Sequence, residues 1–512
     1  MQYRAVRAKG WSQELVIDKF DTERELLRVR YEFCGNPPDE RILWGDDEQA
    51  PVYAKNRTAH VERDFTVFER ILWLALPSHE DTQLRLFVAG QETSLHHTGA
   101  EIRAAFTPAP LEDTGFPPDV RALRRLATSP GMREKFKNAW MFIDKDTEAD
   151  DNAEHLYRWV QRNHPEINAW FVLSESSHDW PRLEEEGFRL IPHGSVEHGA
   201  LFLTCAKLIS SQMDRYIFTP LEEQYYSDFP KPKFICLPHG VTKDDVSRWF
   251  NSIPFDLFIA ATHAETASIT NDGPYLMSNK EVRLCGFPRY DKWLEPTETT
   301  NQIFVMPTWR ADLVGAWDGK GQRRERNPNF YSSNFVKMWA DFFGDPQLKA
   351  LLQTYGYRIV FFSHPGFEDY VEDMPFPDFV EKRSKRHGSI IKVMQQSKIM
   401  ITDFSSVAYD MAYMEKPVLY YQYERKADFV HSQIWKSGYI NYETMGFGPV
   451  CQNKASLFAE LEKTLEGGCA VAQRYIDRVK QTFAYHDQGC CQRAFEAIML
   501  DSNPEKEGKR HV

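Results

Sequence analysis

From residue 138 onward the chain alternates short apolar runs with amphipathic stretches. The series reads AWMFIDKD, NAEHLYRWVQRNH, NAWFVLSES, PRLEEEG, FRLIPHGS, AKLISSQ, KFICLPHG, LFIAATHAET and VRLCGFP. The apolar runs are short and end at Gly, Pro, Ser or Asp, so they read as strands, while the stretches between them carry helical spacing. Strands alternating with helices imply parallel βαβ units. After a Pro/Thr-rich join, LEPTETTNQ, the same grammar restarts with IFVMPTWR, RIVFFSHPG, SKIMITDFSS and PVLYYQYE. Two doubly wound halves follow.

Upstream the grammar differs. Residues 1 to about 130 hold short alternating segments such as QELVIDKF, ELLRVRYEF, RILWLALP and QLRLFVAGQ, separated by Gly, Pro, Asn and Asp. That is the pattern of a small antiparallel β domain. A proline cluster and a short helical segment then mark a boundary. At 512 residues the chain exceeds one core,. The expected fold class is α/β, two Rossmann-like domains preceded by a small all-β domain. The expected divisions are a β-rich domain over 1–132, a first Rossmann-like domain over 133–293, a second over 294–490, and a helix end with a flexible tail over 491–512.

Charge and composition narrow the function. The net charge of −12 argues against a general nucleic-acid binder, which needs a basic footprint,. AKNRTAHVER and GKGQRRERNPNF are the main basic clusters, and each reads most simply as a solvated loop. The first twenty residues lack the apolar core of a signal peptide, and no run approaches the ~18 apolar residues of a membrane span. The eight cysteines are scattered without zinc-site spacing, which points to reduced thiols in a cytoplasmic protein,. Cys490 and Cys491 read as packing residues. No G-x-G-x-x-G, Walker loop or G-x-S-x-G elbow appears at a strand–helix junction, which weakens dehydrogenase, NTPase and hydrolase readings. No histidine has the partner spacing of a zinc helix.

Doubly wound sheets bind ligands outside the carboxyl ends of their strands, where strand order reverses. Two such halves would bring their strand-end loops into one cleft. In TDFSSVAYDMAYME a strand ends at Asp403, and a helix opens with Ser405 or Ser406 near its N-cap, where unpaired N–H groups suit a diphosphate. Asp410 lies one turn on, on the same face, placed to accept hydrogen bonds from ligand hydroxyls. MPTWR puts Pro307, Thr308 and Arg310 at another strand end, FFSHPG puts Ser363, His364 and Pro365 at a third, and GFPRYD places Arg289 beyond the last strand of the first half. Arg suits phosphate oxygens through paired donors. Each piece alone is also an ordinary cap or turn; the set is rich in phosphate-binding chemistry. The Pro-His-Gly turn occurs twice, at His193 and at His239, and proximity in sequence does not separate a catalytic histidine from a turn histidine.

These residues, in this order, resemble the CDP-glycerol glycerophosphotransferase family of teichoic-acid and capsule polymer transferases, which have a GT-B type pair of Rossmann-like domains. The resemblance covers roughly residues 138 to 490 and rests on PHG, GFPRYD, MPTWR, SHP and TDFSSVAYDMAYMEKPVLYY. It implies transfer of glycerol phosphate, or ribitol phosphate, from a CDP-activated donor to an acceptor hydroxyl, with release of CMP. It implies that His239 is the general base and His364 a second catalytic group that holds the diphosphate. Gly240, Val241, Thr242 and Lys243 match a donor-contacting loop, and Arg289, Pro307, Thr308, Ser405, Ser406 and Asp410 match donor-binding positions. Arg310, Ser363, Pro365 and Asp403 join the donor set as their strand-end neighbours. His193 leads into SVEHGALFLT, which lacks the match and leaves it an acceptor-side position.

The resemblance further implies CDP-glycerol or CDP-ribitol as donor, a polymer or lipid-linked acceptor, and work at the cytoplasmic membrane face, with the β domain as a module for the acceptor or for other polymer-synthesis proteins. No protein-held cofactor or metal is expected, although a diphosphate can bring Mg²⁺ with it. The loop after His239 departs from the family's His-Gly-Thr-Pro, reading His-Gly-Val-Thr-Lys-Asp-Asp. Two other readings stand beside it: a GT-B glycosyltransferase using a nucleotide sugar, and a non-catalytic scaffold in polymer assembly.

Overall fold

The computed structural model describes residues 2–4, 14–61, 65–77, 79–93, 97–315, 325–424, 426–431, 433 and 435–501. GKGQRRERNPNF, AKNRTAHVER, the first twenty residues and the expected C-terminal tail therefore lie wholly or partly outside the described residues. The restart of the strand–helix pattern at residue 302 corresponds to two separate parallel sheets. The first runs Leu190–Pro192, Ala169–Leu173, Trp140–Ile143, Lys207–Ser210, Lys233–Cys236, Leu257–Ala260, Val282–Leu284 in spatial order. The second runs Val380–Arg383, Arg358–Phe362, Gln302–Val305, Ile399–Thr402, Val418–Tyr421, Val450–Cys451. In both, the first strand in the chain sits centrally and the order reverses between it and the fourth. That reversal is the switch point at which Rossmann-type sheets bind ligands.

The strands are buried along their whole length because helices cover both faces; Trp140–Ile143, Lys207–Ser210, Leu257–Ala260 and Gln302–Val305 have no exposed residue,. The helices follow ordinary rules. Asn152–Asn163 is capped by the Asp151 carboxylate and buries Ala153, Leu156, Tyr157 and Val160, one apolar stripe against the first sheet,. Pro346–Tyr355 begins with an Asp345 cap and a proline at its first position, and stops at Gly356, whose φ of 69° only glycine adopts cheaply,.

The N-terminal region forms two antiparallel sheets packed face to face. One orders Gln2–Arg4, Glu14–Asp21, Leu26–Cys34, Thr66–Ala75 and Tyr53–Val61. The other is built around Gln83–Val88 and Glu40–Trp44. Alternating residues such as Leu27, Val29, Tyr31 and Phe33 meet Ile42, Trp44, Leu84 and Leu86 between them,. Polar contacts hold this sandwich to the first α/β unit. Lys55 Nζ donates to the carbonyls of Ile269 and Met277 (2.8 and 3.0 Å), and Lys280, fully buried, lies 2.5 Å from Asp21. Helix Pro118–Thr128 connects the sandwich to the first sheet and packs on Val196–Thr204.

Below the cleft the two α/β units share an apolar interface. Val241, Phe287, Tyr290 and Trp293 from the first meet Phe404, Tyr409 and Tyr413 from the second, with the Tyr290 and Tyr413 rings stacked at 4.2 Å. The chain then crosses back: helix Cys490–Asp501 packs Cys491, Ala494, Phe495 and Ile498 against Trp140, Leu156 and Val160 of the first unit. Its first two N–H groups donate to the Asp291 carboxylate at 2.7 and 2.9 Å.

The Asp21–Lys280 pair offers a direct check on how the sandwich is held. Burial opposes the Asp21 charge, but Lys280 and Lys233 hold its carboxyl well below the usual range. Its contribution is therefore present above the unfolded carboxyl pKa of about 4 and lost as the pH falls. Asp21→Asn, which keeps an acceptor for the Glu23 and Arg24 N–H groups, should cost about 3–5 kcal/mol by removing the opposite charge from beside a buried ammonium. Urea denaturation at neutral pH measures this, and a cost under about 1 kcal/mol would contradict the assignment.

Candidate active site

The strand-end loops of the two sheets converge on a narrow cleft. The loop after Trp140–Ile143 is shaped by Asp144, whose carboxylate accepts from the N–H groups of Asp151 (3.1 Å), Ala153 (2.9 Å) and Glu154 (3.2 Å) and from the Ser211 hydroxyl. This turn carries Lys145, Glu148, Asp150, Asp151 and Asn152, of which Glu148 and Asp150 bond to the second unit. Asn152 is fully buried and organises the site: its Nδ2 donates to the carbonyls of Leu237 and Pro238 (3.3 and 2.9 Å), while its Oδ1 accepts from the Arg289 N–H (3.1 Å). One side chain thus fixes the Pro-His-Gly turn and the Arg289 turn relative to each other.

Arg289 carries that link across the cleft. Its Nε and Nη2 donate to Asp410 Oδ1 at 3.1 and 2.7 Å, and its Nη1 to Asp151 Oδ1 at 3.1 Å. Burial works against the guanidinium, and the two carboxylates more than offset it, raising its pKa. Further bridges run between the units. Lys385 pairs with Glu148 at 2.9 Å, the Ser389 hydroxyl donates to Asp150, and Asp245 and Lys436 exchange backbone hydrogen bonds at 3.0 and 3.1 Å. Gly240 lies against Ser406, where an added Cβ would come 3.0 Å from the serine Oγ.

Two histidines face this cleft from opposite units. His239 follows strand Lys233–Cys236; solvent reaches its ring, yet surrounding protein lowers its pKa through desolvation, with Asp151 opposing and Arg289, Lys145 and Lys385 reinforcing the shift. His364 follows strand Arg358–Phe362. Its Nδ1 accepts from the Gly366 N–H at 3.1 Å and its ring stacks on Trp309 at 5.7 Å. A neutral ring that accepts at Nδ1 carries its proton on Nε2, so His364 is a donor at that atom. Desolvation, helped by charge on His239, Lys145 and Lys385, lowers its pKa to about 3 and keeps that tautomer neutral.

The remaining sequence-derived residues divide into two groups. Ser405 and Ser406 lie at the start of helix Val407–Tyr413, with Ser406 at the N-cap and Ser405 Oγ accepting from the Val407 N–H at 3.3 Å. Thr308 sits beside them, its N–H and hydroxyl both donating to Asp403 Oδ1 at 2.8 Å. The others turn inward. Asp403 is fully buried and also accepts from Arg310 Nη2 at 2.9 Å; Arg310 further pairs with Glu424, so carboxylates occupy its guanidinium. Asp410 is given to Arg289. Pro307 is buried, and Val241 belongs to the apolar interface. Thr242 N–H donates to Glu265 at 2.6 Å. Lys243 is buried, paired with Asp244 and above the Tyr442 ring at 5.9 Å. Ser363 is buried with its hydroxyl on the His364 carbonyl at 3.1 Å. Pro365 opens the turn Pro365–Tyr370; its side chain lies outside those described.

His193 belongs elsewhere along the same sheet edge. Its ring lies 5.0 Å from that of His198 and edge-on to Tyr216 at 6.2 Å, with Asp146 nearby. Sequence reasoning missed Lys145, Glu148, Asp150, Asp151, Asn152, Lys385 and Ser389. A signal for the first five was present, because FIDKDTEADDN is itself a strand end of the first half and falls under the rule that selected MPTWR and FFSHPG. Among the described residues no group of three or more His, Cys, Asp or Glu side chains is placed to hold a metal ion, and no helix is long and apolar enough to cross a membrane.

The model of the CDP-glycerol:poly(glycerophosphate) glycerophosphotransferase family matches residues 127–500. The chain belongs to this family. It is 36% identical over 372 residues to the minor teichoic acid biosynthesis protein GgaB of Bacillus subtilis (strain 168), covering 72% of this chain and 40% of that protein. It is 25% identical over 137 residues to a teichoic acid glycerol-phosphate primase of the same organism, covering 26% of this chain and 33% of the primase. The chain thus spans well under half the length of these curated relatives. Among solved structures, the wall teichoic acid polymerase TagF matches with a TM-score of 0.50 at 16% identity, covering 77% of this chain and 100% of that one. A variant of that polymerase matches at 0.52 and 16% identity over 76% and 95%. These likenesses are of fold, the GT-B arrangement of two Rossmann-like units.

For this glycerophosphotransferase-family chain, the Arg289–Asp410 pair generates a stability prediction. Asp410→Ala leaves a buried guanidinium with only Asp151 and should cost about 3–5 kcal/mol. Arg289→Lys should also destabilise, since an ammonium cannot reach both carboxylates with a planar fork of donors. Calorimetric melting of both variants checks this, and unchanged melting temperatures would contradict it.

Proposed function

We propose that this protein transfers glycerol phosphate, or a related polyol phosphate, from a CDP-activated donor to an acceptor hydroxyl, releasing CMP, in the synthesis of a teichoic-acid-like or capsular polymer. The observation that carries the reading is the pairing of His239 and His364 across one cleft, each at the carboxyl end of the strand next to the switch in its own sheet, in a chain of the glycerophosphotransferase family. The histidines differ in what they can do. His239 reaches solvent and keeps an unprotonated nitrogen at neutral pH, so it takes the proton from the acceptor hydroxyl as that oxygen attacks the phosphorus bearing the polyol. The new P–O bond forms as the bond to the bridging oxygen of the diphosphate breaks, and CMP leaves with the electron pair.

His364 contributes as a hydrogen-bond donor. Its Nε2–H, fixed in direction by the Gly366 bond to Nδ1 and by the Trp309 stack, meets charge developing on the departing phosphate. Ser406, Ser405 and the first N–H groups of Val407–Tyr413 hold the nucleotide side of the diphosphate, and Lys145 and Lys385 add positive charge between the histidines. Thr308 completes the donor wall. Arg289, Asp410, Arg310 and Asp403 act through position: they set the loops that carry the contacting groups. The site is read as working on a polymer or lipid-linked acceptor at the cytoplasmic face of the membrane, with any Mg²⁺ arriving on the donor.

A panel of CDP-glycerol, CDP-ribitol and nucleotide sugars, assayed for release of the nucleotide in the presence of polyol-phosphate acceptors, tests the reaction class. Release of CMP from a CDP-polyol supports the proposal; turnover of nucleotide sugars alone would replace it with a glycosyltransferase. The pH profile tests the base. Because desolvation lowers the His239 pKa and the base must be unprotonated, kcat/KM should rise with pH through a midpoint below about 6.5. A midpoint above 7 would argue against His239.

A further inference from the structure

The segment 381–392, EKRSKRHGSIIK, carries five Lys and Arg residues and one carboxylate. It leaves the edge strand Val380–Arg383, crosses the rim of the cleft and enters helix Ile390–Gln396. Between strand end and helix lies a cavity of about 410 Å³, lined by Arg383, His387, Ser389, Lys392 and Gln396 among others, with no carboxylate in its wall. Its size falls within the roughly 300–1,000 Å³ of small-molecule sites.

Its position relates it to the cleft without making it part of the donor site. The donor site lies at the switch between Gln302–Val305 and Ile399–Thr402, whereas the cavity flanks the edge strand of the same sheet. The rim between them is basic and shared. Ser389 lines the cavity and also reaches Asp150 of the first unit. Lys385, which precedes the cavity, pairs with Glu148 while its charge bears on both histidines. Within the cavity, Arg383 bonds to Glu381 at 2.5 Å and His387 to Ser384 at 3.0 Å, with Glu372 3.4 Å away. Lys392 is exposed, and among the described residues its ammonium has no ion pair or hydrogen bond.

We propose that this cavity and its rim dock the phosphodiester backbone of the acceptor chain, leading its terminal hydroxyl past Lys385 to His239. The inference rests on the transferase reading above and deepens it: the acceptor is a polyanion, read by charge at its penultimate phosphates. A lipid surface fits less well, because the site is concave and none of the large exposed apolar side chains, Val52, Val61, Phe65, Val196, Trp249, Tyr485 and Met499, lies on this segment.

The test uses the full chain and a fluorescein-labelled oligo(glycerol phosphate) of about ten units, followed by fluorescence anisotropy without donor. Lys392→Glu should raise its Kd about tenfold at low ionic strength, Arg383→Ala several-fold, and both effects should shrink as salt is added. Calorimetric affinity for CDP-glycerol should stay at the wild-type value, and Lys392→Gln should fall between wild type and Lys392→Glu. An oligomer Kd within twofold of wild type in both charge variants overturns the proposal. So does an equal loss of CDP-glycerol affinity, which would place the defect in the donor site or the fold. Vesicles of anionic phospholipid run in parallel, and weakening there with oligomer binding intact also overturns it in favour of a lipid surface. A wild-type protein that binds no CDP-glycerol would count against the transferase reading; the oligomer arm still decides this one.

Discussion

Arg289 sits between two carboxylates contributed by different halves of the molecule, Asp151 from the first α/β unit and Asp410 from the second, and the loop that carries His239 is referenced to it. A buried guanidinium cannot remain charged there without partners, so the pair is satisfied only when the two units approach in one register. Asn152 then couples the backbone of Arg289 to the carbonyls that precede His239. The consequence is geometric: where the halves meet, the position of His239 follows. Removing the positioning side chains would leave the reacting groups present but misdirected, and misplacement of about 1 Å is costly in a transfer reaction.

The same division between contacting and positioning groups recurs on the second unit. Asp403 touches no cleft surface; it holds Thr308 and Arg310 and thereby the loop opposite the Ser405–Ser406 turn. The tautomer of His364 is likewise set by its surroundings. With Gly366 donating to Nδ1, protonation would cost that bond and add charge beside Lys145 and Lys385, so the ring stays a neutral donor. His239 has no such acceptor bond among the described residues and keeps the capacity to take a proton. In the proposed reaction, one backbone N–H separates two histidines at similar strand ends into different tasks.

Much of this was legible in the sequence because parallel α/β architecture writes itself into short apolar runs, and because the strand-end rule converts those runs into candidate residues. His239, His364, Thr308, Ser405 and Ser406 all lie where that rule places them. What could not be read was which way a side chain turns once it is there. Arg310 and Lys243 carry charge that suggests phosphate, yet their partners, Glu424 and Asp244, are set by packing. Asp410 follows Ser406 at helical spacing, but the side chain opposite it comes from a turn more than a hundred residues earlier. The basic rim around Lys385 was overlooked for a related reason: its meaning depends on Glu148 and Asp150 of the other unit, a pairing no local pattern contains.

Phosphorus NMR of the complete reaction, with CDP-glycerol and a polyol-phosphate acceptor, follows donor, CMP and new phosphodiester together and tests the division of labour most directly. The account predicts one CMP per new phosphodiester in the wild type and a fall of about 100- to 10,000-fold in both signals for His239→Ala with CDP-glycerol affinity retained. For His364→Ala it predicts a loss of rate accompanied by weaker donor binding. Phosphodiester formation at the wild-type rate in His239→Ala would contradict it.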